Sequence, residues 1–297
     1  MLLKQQDFYR SLTALAPGLV ERIRAAIEEA EKKFSGRKEA KAGFLWEHTV
    51  LVAAQSFRLA KLEKENPDLA ALVALFHDSG KFVGGRYHAG DKPEEEEAAR
   101  FARATLETDG LKMADIGHII RALRALYRSG ASRNRLADIV HDADFLSKFG
   151  YVGVANFFVK STLRGRNLES AAMDYLSKEL TYASVLPANM RTASARKMAV
   201  KKAADSLRFF RAYLGELNET HGMELRVRTV DVPLTGARAR PARVTLVLPA
   251  ACGACGGKWE TDFRAEKGLK CEKLEASLRC ASCGETRAVS FCLPELG

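Results

Sequence analysis

The sequence predicts a mainly α-helical protein that ends in a small β-rich domain with a cysteine cluster. In the first two-thirds of the chain, apolar residues recur at helical spacing. Beyond Leu217 the pattern changes to the alternation that is typical of strands. All six cysteines lie between Cys252 and Cys292. A cluster confined to one end of a chain indicates metal binding rather than a disulfide framework.

Helical periodicity gives the elements of the first two-thirds in order. Ile23, Ile27, Ala30 and Phe34 recur at spacings of four, three and four residues, which makes one amphipathic face. Residues 44–61 are apolar almost all round and predict a buried helix. Four glutamates open the helix predicted over 94–108, because negative charge stabilises a helix N-terminus. Further helices are expected over 69–81, 116–127, 135–160, 167–184 and 193–217.

Two strands follow, and they set the domain limits. Residues 223–232 alternate apolar and polar side chains, and residues 243–248 are rich in β-branched residues. The change of pattern places a boundary near residues 218–222. We therefore expect an N-terminal helical extension over 1–40, a helical domain over 41–217 and a β-rich domain over 218–297.

Composition limits the classes of function. Hydrophobic residues make up 47% and charged residues 28% of the 297 positions, as in a folded globular chain. No apolar run approaches the ~18 residues of a membrane span, and the N-terminus lacks the apolar segment of a signal peptide. We therefore expect a cytoplasmic protein with no membrane contact.

The net charge of +10 and the pI of about 9.3 indicate an anionic partner. The excess is local, since 11 basic and 4 acidic residues lie between Lys160 and Arg211. Such a tract fits a phosphate-bearing substrate or a nucleic acid. Its residues Lys197, Lys201, Arg208 and Arg211 share one helix face, which is best interpreted as a solvated side opposite an apolar stripe.

Polar residues inside apolar helices mark the candidate site. His77 and Asp78 interrupt the apolar run LVALFHDSGKF, and a buried carboxylate beside an imidazole is costly unless it is paired or binds a metal. His48 and Asp142 lie in two other helices that should be buried. Together they form a mixed nitrogen and oxygen ligand set, which suits one divalent ion of Mn, Fe, Ni, Co or Zn. Lys81 lies four residues after His77, on the same face of the predicted helix.

The ordered set His48, His77-Asp78 and Asp142 resembles the H…HD…D signature of the HD superfamily of metal-dependent phosphohydrolases. The segment HDSGK resembles the HD-x-G-K of that family. The segment HDADFLSKFG resembles the D-A-D-x-L-x-x-x-G of its nucleotide-pyrophosphohydrolase-like branch. The resemblance covers roughly residues 40–217 and implies an HD-domain helical bundle.

The resemblance continues beyond the signature, with departures. Met190 and Thr192, followed by the helix of Ala195 and Ala199, resemble the closing M-x-T-x-x-A pattern of the branch. A histidine that usually stands near Leu123 is absent. The segment YHAGDKPEEEE replaces a doubled histidine with small residues. These departures concern the substrate pocket more than the metal.

The expected function is metal-dependent hydrolysis of phosphate ester or anhydride bonds in nucleotides or related small molecules. A divalent ion lowers the pKa of a bound water and polarises a phosphoryl oxygen. Asp78 is the expected catalytic ligand, with Asp144 supporting the site without binding the ion. Lys81 is expected to act in catalysis and substrate binding by neutralising phosphate charge. Arg86 and His88, from the loop after this helix, complete the expected substrate-binding residues.

The cysteines predict a second, structural metal site. Cys252 and Cys255, and then Cys280 and Cys283, form two C-x-x-C pairs, each followed by glycine. Four thiolates satisfy the tetrahedral geometry of structural zinc, and the pattern resembles a zinc ribbon. Trp259 and its neighbours could form a nucleic-acid surface, although packing on the strands is the favoured interpretation.

Two other functions remain open from the sequence. The chain could be a nuclease or phosphodiesterase that acts on RNA or DNA delivered by the ribbon. It could also be a non-catalytic nucleotide-sensing module that keeps the metal site without turnover. The complete ligand set together with Lys81 weighs against the second of these.

Overall fold

The computed structural model describes residues 6–34, 43–81, 94–126, 134–163, 165–221, 224–232, 241–267 and 272–293. Within this part of the chain, helices precede strands, as predicted. The helices are α1 (Asp7–Leu15), α2 (Leu19–Phe34), α3 (Phe44–Leu62), α4 (Pro67–Phe76), α5 (Glu94–Thr108), α6 (Met113–Ala125), α7 (Arg135–Ser147), α8 (Gly150–Leu163), α9 (Leu168–Asn189) and α10 (Ala193–His221). The strands are β1 (Leu225–Val232), β2 (Ala242–Pro249), β3 (Trp259–Lys267), β4 (Glu272–Cys280) and β5 (Thr286–Cys292).

Two predicted helices differ from the observed ones. The helix predicted over 69–81 begins at Pro67, where the Asn66 side chain accepts hydrogen bonds from two backbone N–H groups, and ends at Phe76. The helix predicted over 135–160 is two helices, α7 and α8. Gly150, the first residue of α8, has a φ of 74°, a left-handed conformation that glycine adopts without strain.

The chain packs as two compact units. The first comprises residues 1–147 together with 190–196. Its core includes α4, in which every residue from Ala70 to Phe76 is buried. Helices α3 and α7 both pack against α4 and against each other. These three helices, with the turn directly after α4, carry the histidines and aspartates singled out above.

The second unit comprises residues 148–189 and 197–297. Strands β1 and β2 form an antiparallel pair, and β3, β4 and β5 form a separate antiparallel sheet. Helix α9 holds β2 through side chains. Ser177 Oγ accepts from Val247 N at 2.9 Å, and Thr181 Oγ1 accepts from Thr245 N at 3.0 Å.

The fold class is therefore as predicted, a helical bundle followed by small antiparallel sheets. The two compact units do not coincide with the predicted domains, because the second unit contains helices as well as strands. The predicted domain limits at residues 40 and 217 stay predictions. Among the described helices, none combines the length and hydropathy needed to cross a bilayer.

Candidate metal centres

Helix α3 carries His48 in its second turn. The helix begins after Gly43, whose N–H donates to Glu31 Oε2 at 2.7 Å, and Leu45 N donates to Oε1 of the same carboxylate at 3.3 Å. Glu31 thus fixes the start of α3 by accepting from its free N-terminal donors. Most of the His48 side chain is covered, with 15% of its surface exposed.

His77 and Asp78 lie in a turn directly after α4. Ser79 N donates to Phe76 O and Lys81 N donates to Asp78 O, a tighter pattern than that of an α-helix. His77 and Lys81 therefore do not share a helix face, and that part of the prediction is wrong. The turn lies against the start of α5, because a Cβ on Gly80 would come within 2.2 Å of Glu94 O.

The two histidines and Asp78 converge on one point. One nitrogen or oxygen atom from each of His48, His77 and Asp78 lies within 4.8 Å of the others. Asp78 Oδ2 is 3.5 Å from His48 Nε2 and 3.4 Å from His77 Nε2. The structure thus brings together three of the four predicted ligands from two segments of the chain.

The hydrogen bonds of His77 match those of a metal ligand. Its Nδ1 lies 2.6 Å from Ala74 O, so Nδ1 carries the proton and Nε2 carries a lone pair. Nε2 is buried and, among the described residues, has no hydrogen-bond partner. A second-sphere carbonyl that fixes the tautomer in this way is the usual companion of a metal-bound histidine.

Asp142 and Asp144 occupy different surroundings, although both are buried on α7. Asp144 Oδ1 lies 3.2 Å from His48 Nε2. Asp142 Oδ2 instead accepts from Thr192 N at 2.7 Å and from Thr192 Oγ1 at 2.8 Å. Its Oδ1 accepts from Arg191 N at 3.0 Å. The geometry thus favours Asp144 over the predicted Asp142 as a ligand, and Asp142 joins α7 to the start of α10.

Thr192 has a role that sequence reasoning only touched. Its Oγ1 donates to Asp142 and accepts from Ala195 N at 3.3 Å, so it also caps α10. The resemblance marked Thr192 as part of a pattern without a role. A threonine directly before a predicted helix is the signal that indicates such a cap.

Charges around the site favour metal-binding protonation states. Burial by itself raises the pKa of Asp78, but the neighbouring side chains of His77, Lys81 and His48 outweigh it and hold that pKa well below its usual range. Burial lowers the pKa of His48, although the carboxylate of Asp144, which accepts a hydrogen bond from it, acts in the opposite direction. An ionised carboxylate and a neutral imidazole are the forms that bind divalent ions. We name His48, His77, Asp78 and Asp144 the His–Asp site.

The predicted substrate-binding residues are only partly placed. Lys81 Nζ forms an ion pair with Asp78 Oδ2, and 21% of the Lys81 side chain is exposed. Its ammonium group therefore lies at the edge of the His–Asp site and reaches solvent. Arg86 and His88 lie outside the described residues.

The second candidate centre is the cysteine site, Cys252, Cys255, Cys280 and Cys283. Each pair lies in a turn with the same backbone pattern. Gly256 N donates to Cys252 O at 2.7 Å, and Gly284 N donates to Cys280 O at 3.0 Å. Both glycines have φ values above 70°, where other residues are strained.

The sulfur positions fit a tetrahedral ion. Cys252 Sγ lies 3.7 Å from Cys283 Sγ, and Cys255 Sγ lies 3.5 Å from Cys280 Sγ. Four sulfurs at the ~2.3 Å of a zinc–thiolate bond lie ~3.8 Å apart. Backbone N–H groups of Cys283 and Ser282 lower the pKa of Cys280 to about 6. The N–H of Glu285 lowers the pKa of Cys283, yet the sulfurs of Cys255 and Cys280 raise it to about 12. Without a cation, the four thiols therefore do not all ionise together.

Comparison with known proteins gives a family match for one part of the chain. Residues 45–148 match the family model of the HD domain. This segment contains the whole His–Asp site. No curated protein matches the chain.

Several solved structures resemble the chain at low identity. One is a predicted HD superfamily hydrolase from an uncultured Thermotogales bacterium, at 23% identity over 70% of this chain and 97% of that chain, with a TM-score of 0.49. Bacillus subtilis YpgQ in complex with ADP is 21% identical over 67% of this chain and 94% of that chain, with a TM-score of 0.47. An HD-superfamily hydrolase from Bacillus thuringiensis is 18% identical over 67% of this chain and 98% of that chain, with a TM-score of 0.46.

Proposed function

We propose that this chain, which carries an HD domain at residues 45–148, is a metal-dependent phosphohydrolase. The proposed substrates are nucleotides or related small molecules with phosphate ester or anhydride bonds. The observation that carries the proposal is the buried lone pair of His77 Nε2, which has no described hydrogen-bond partner and faces Asp78 and His48. A buried polar atom without a partner is costly unless a ligand such as a metal completes it.

The ligands we propose are His48, His77, Asp78 and, in place of Asp142, Asp144. Two imidazoles and two carboxylates suit Mn, Fe, Ni, Co or Zn. When bound, such an ion supplies Lewis acidity toward a phosphoryl oxygen and toward water at neutral pH.

Asp78 and Lys81 supply the remaining chemistry. One carboxylate oxygen of Asp78 lies close to both histidines and to Lys81, so Asp78 would both bind the ion and orient a water beside it. Lys81 holds its ammonium group at the solvent-facing edge, where it would neutralise charge on a substrate phosphate. Arg86 and His88 stay predicted substrate-binding residues.

We also propose that the cysteine site binds structural zinc and forms a zinc ribbon. The sulfur spacing and the paired backbone turns support this assignment. Trp259 and Phe263, which could have formed a nucleic-acid surface, pack against the buried core of the strands. This packing favours a small-molecule substrate over a nucleic acid delivered by the ribbon.

Product analysis tests the proposed function. Manganese-loaded protein would be incubated with a mixed pool of nucleotides and short oligonucleotides, beside the Asp78→Ala variant, and the products separated by chromatography. We expect particular nucleotides to be consumed by the unsubstituted protein and not by the variant. Shortened oligonucleotides would instead establish the nuclease. Ligand-induced stabilisation without any product would indicate a nucleotide sensor. Equal turnover by Asp78→Ala would contradict the proposed site.

A further inference from the structure

A cavity of about 250 Å³ lies in the second unit, between α9, α10 and the β1–β2 pair. All of its lining residues belong to the second unit, and none belongs to the HD domain. Leu180 of α9, Leu207 of α10 and Val227 of β1 form its apolar wall. The Val227 side chain is half exposed, with 46% of its surface accessible. An accessible apolar wall inside a concavity is the part of a pocket that holds the organic portion of a ligand.

The register of β1 and β2 explains why this concavity forms. Thr229 pairs with Thr245, and Asp231 pairs with Arg243, so these residues lie on one face of the two-stranded pair. Helix α9 covers that face at Thr245, whose backbone N–H and carbonyl both bond to Thr181 Oγ1. Thr229 and Arg243 on the same face remain exposed and line the cavity.

The charge of the lining is entirely positive. Arg211 from α10 and Arg243 from β2 are its two charged residues, and no carboxylate lines it. Among the described residues, no carboxylate forms an ion pair with Arg211. Its neighbour one turn earlier, Arg208, does pair with Asp205, at 3.4 Å. Arg243 Nε lies 3.4 Å from Asp231 Oδ1, but both side chains are largely exposed, so this pair holds Arg243 weakly.

Hydroxyl groups complete the polar part of the lining. Thr229 is exposed at the cavity. Ser184 Oγ donates to Leu180 O at 2.8 Å, which fixes its position on α9. Two guanidinium groups, with hydroxyls between apolar residues, form the type of surface that binds a phosphate group carried on an organic body.

We propose that this cavity binds a small phosphate monoester, no larger than a nucleoside monophosphate, through Arg211 and Arg243. The phosphate is held by the two guanidinium groups, and the organic portion packs on Leu180, Leu207 and Val227. Arg211, which the sequence placed on a solvated helix face, is thereby a ligand-binding residue. The site does not depend on the proposed hydrolase activity, since it shares no residue with the His–Asp site.

Calorimetric titration with adenosine 5′-monophosphate tests the proposal. The Asp78→Asn variant is the starting protein, so that binding at the His–Asp site is removed. We expect one AMP site in this variant, at least tenfold weaker after the further change Arg211→Gln or Arg243→Gln, because each removes a charge-assisted contact. Arg208→Gln is the matched control on the same helix and should leave the affinity unchanged. Adenosine, which lacks the phosphate, should not bind.

Three results would overturn the proposal: AMP affinity unchanged in both cavity variants, adenosine binding as tightly as AMP, or no AMP binding by a folded Asp78→Asn protein. If circular dichroism shows that Asp78→Asn does not fold, the titrations are made on the otherwise unsubstituted protein. There the cavity variants must remove one of two AMP sites, and loss of neither would contradict the proposal.

Discussion

The His–Asp site and the cysteine site differ in what holds their side chains in place. The ligands of the His–Asp site come from α3, α7 and the turn after α4, elements that pack on one another through a large apolar core. The ligands of the cysteine site come from two short turns, and Cys255 and Cys283 are exposed. A large core fixes the first site without a metal, whereas the second rests on a smaller apolar cluster and a few backbone hydrogen bonds, such as that from Ala281 N to Lys258 O, and would depend more on its proposed zinc.

Metal removal gives the largest expected difference between the two sites. Structural zinc contributes an apparent ~10–16 kcal/mol in small zinc-binding domains. After treatment with a strong chelator, we expect amide hydrogens of residues 252–293 to lose their exchange protection, while those of α3 and α4 keep theirs. Hydrogen exchange followed by mass spectrometry measures both regions at once.

The Cys280→Ser variant should reproduce this loss without a chelator. Ser290→Ala, an exposed position on β5, is the matched control and should keep full protection. Native protection of β3–β5 in Cys280→Ser would show that packing, and not zinc, maintains this sheet.

The two aspartates of α7 separate metal binding from stability. Asp144→Asn should lower bound metal and activity by more than about 100-fold, because it removes a proposed ligand, and should change the melting temperature little. Asp142→Asn should lower the free energy of unfolding by about 3 kcal/mol, since an amide cannot accept from all the donors of Thr192 and Arg191. Metal analysis and denaturant unfolding measure the two effects.

Thr192→Ser serves as the control for the Asp142 prediction because it keeps the hydroxyl, and its stability should stay close to that of the unsubstituted protein. The reverse pattern, with metal lost only in Asp142→Asn, would restore Asp142 as the ligand.

The turn that carries His77 and Asp78 is sensitive to a single methyl group. Gly80→Ala places a Cβ against Glu94 O, so we expect a loss of about 1–3 kcal/mol in the free energy of unfolding and reduced activity. Gly215→Ala on α10 meets no atom within 4 Å and should stabilise the protein by up to about 1 kcal/mol. Thermal unfolding of the two variants makes the comparison, and equal stability would show that the turn moves freely.

The smallest expected effect concerns the start of α10. Glu63 accepts from Ser194 N at 2.8 Å, and this hydrogen bond lowers its pKa below 4.5. Its contribution, less than about 1 kcal/mol, is therefore present above pH 4.5 and is lost as the pH falls through the lowered pKa. As the pH falls from 7 to 3, the free energy of unfolding should decrease less in Glu63→Gln than in the unsubstituted protein. Glu65→Gln is the control, and an identical profile in both variants would argue against this role.

Local sequence patterns predicted most of the helices and both strands β1 and β2. The break between α7 and α8 was missed because a glycine after HDADFLSK was taken as part of a continuing apolar pattern, although Gly150 allows the left-handed turn observed there. The end of α4 at Phe76 was missed because the apolar run continues to His77 without a breaker.

The candidate site shows where sequence reasoning reaches its limit. Residue types and order identified His48, His77 and Asp78, since buried polar residues in apolar helices are rare. Residue type and order did not show which of Asp142 and Asp144 is the better candidate for a metal ligand. It depends on donors from residues 191 and 192, which lie 49 and 50 positions further along the chain.

The same long-range contact has a consequence for synthesis on the ribosome. Every proposed ligand of the His–Asp site has been translated by residue 144, but the donors for Asp142 emerge only after α8 and α9 have been made. A nascent chain that ends at Ser147 holds all four ligands and a buried Asp142 carboxylate that lacks Thr192 and Arg191. The hydrogen bonds that hold α7 beside the His–Asp site are therefore completed late in translation, after helices that supply none of its proposed ligands have been made.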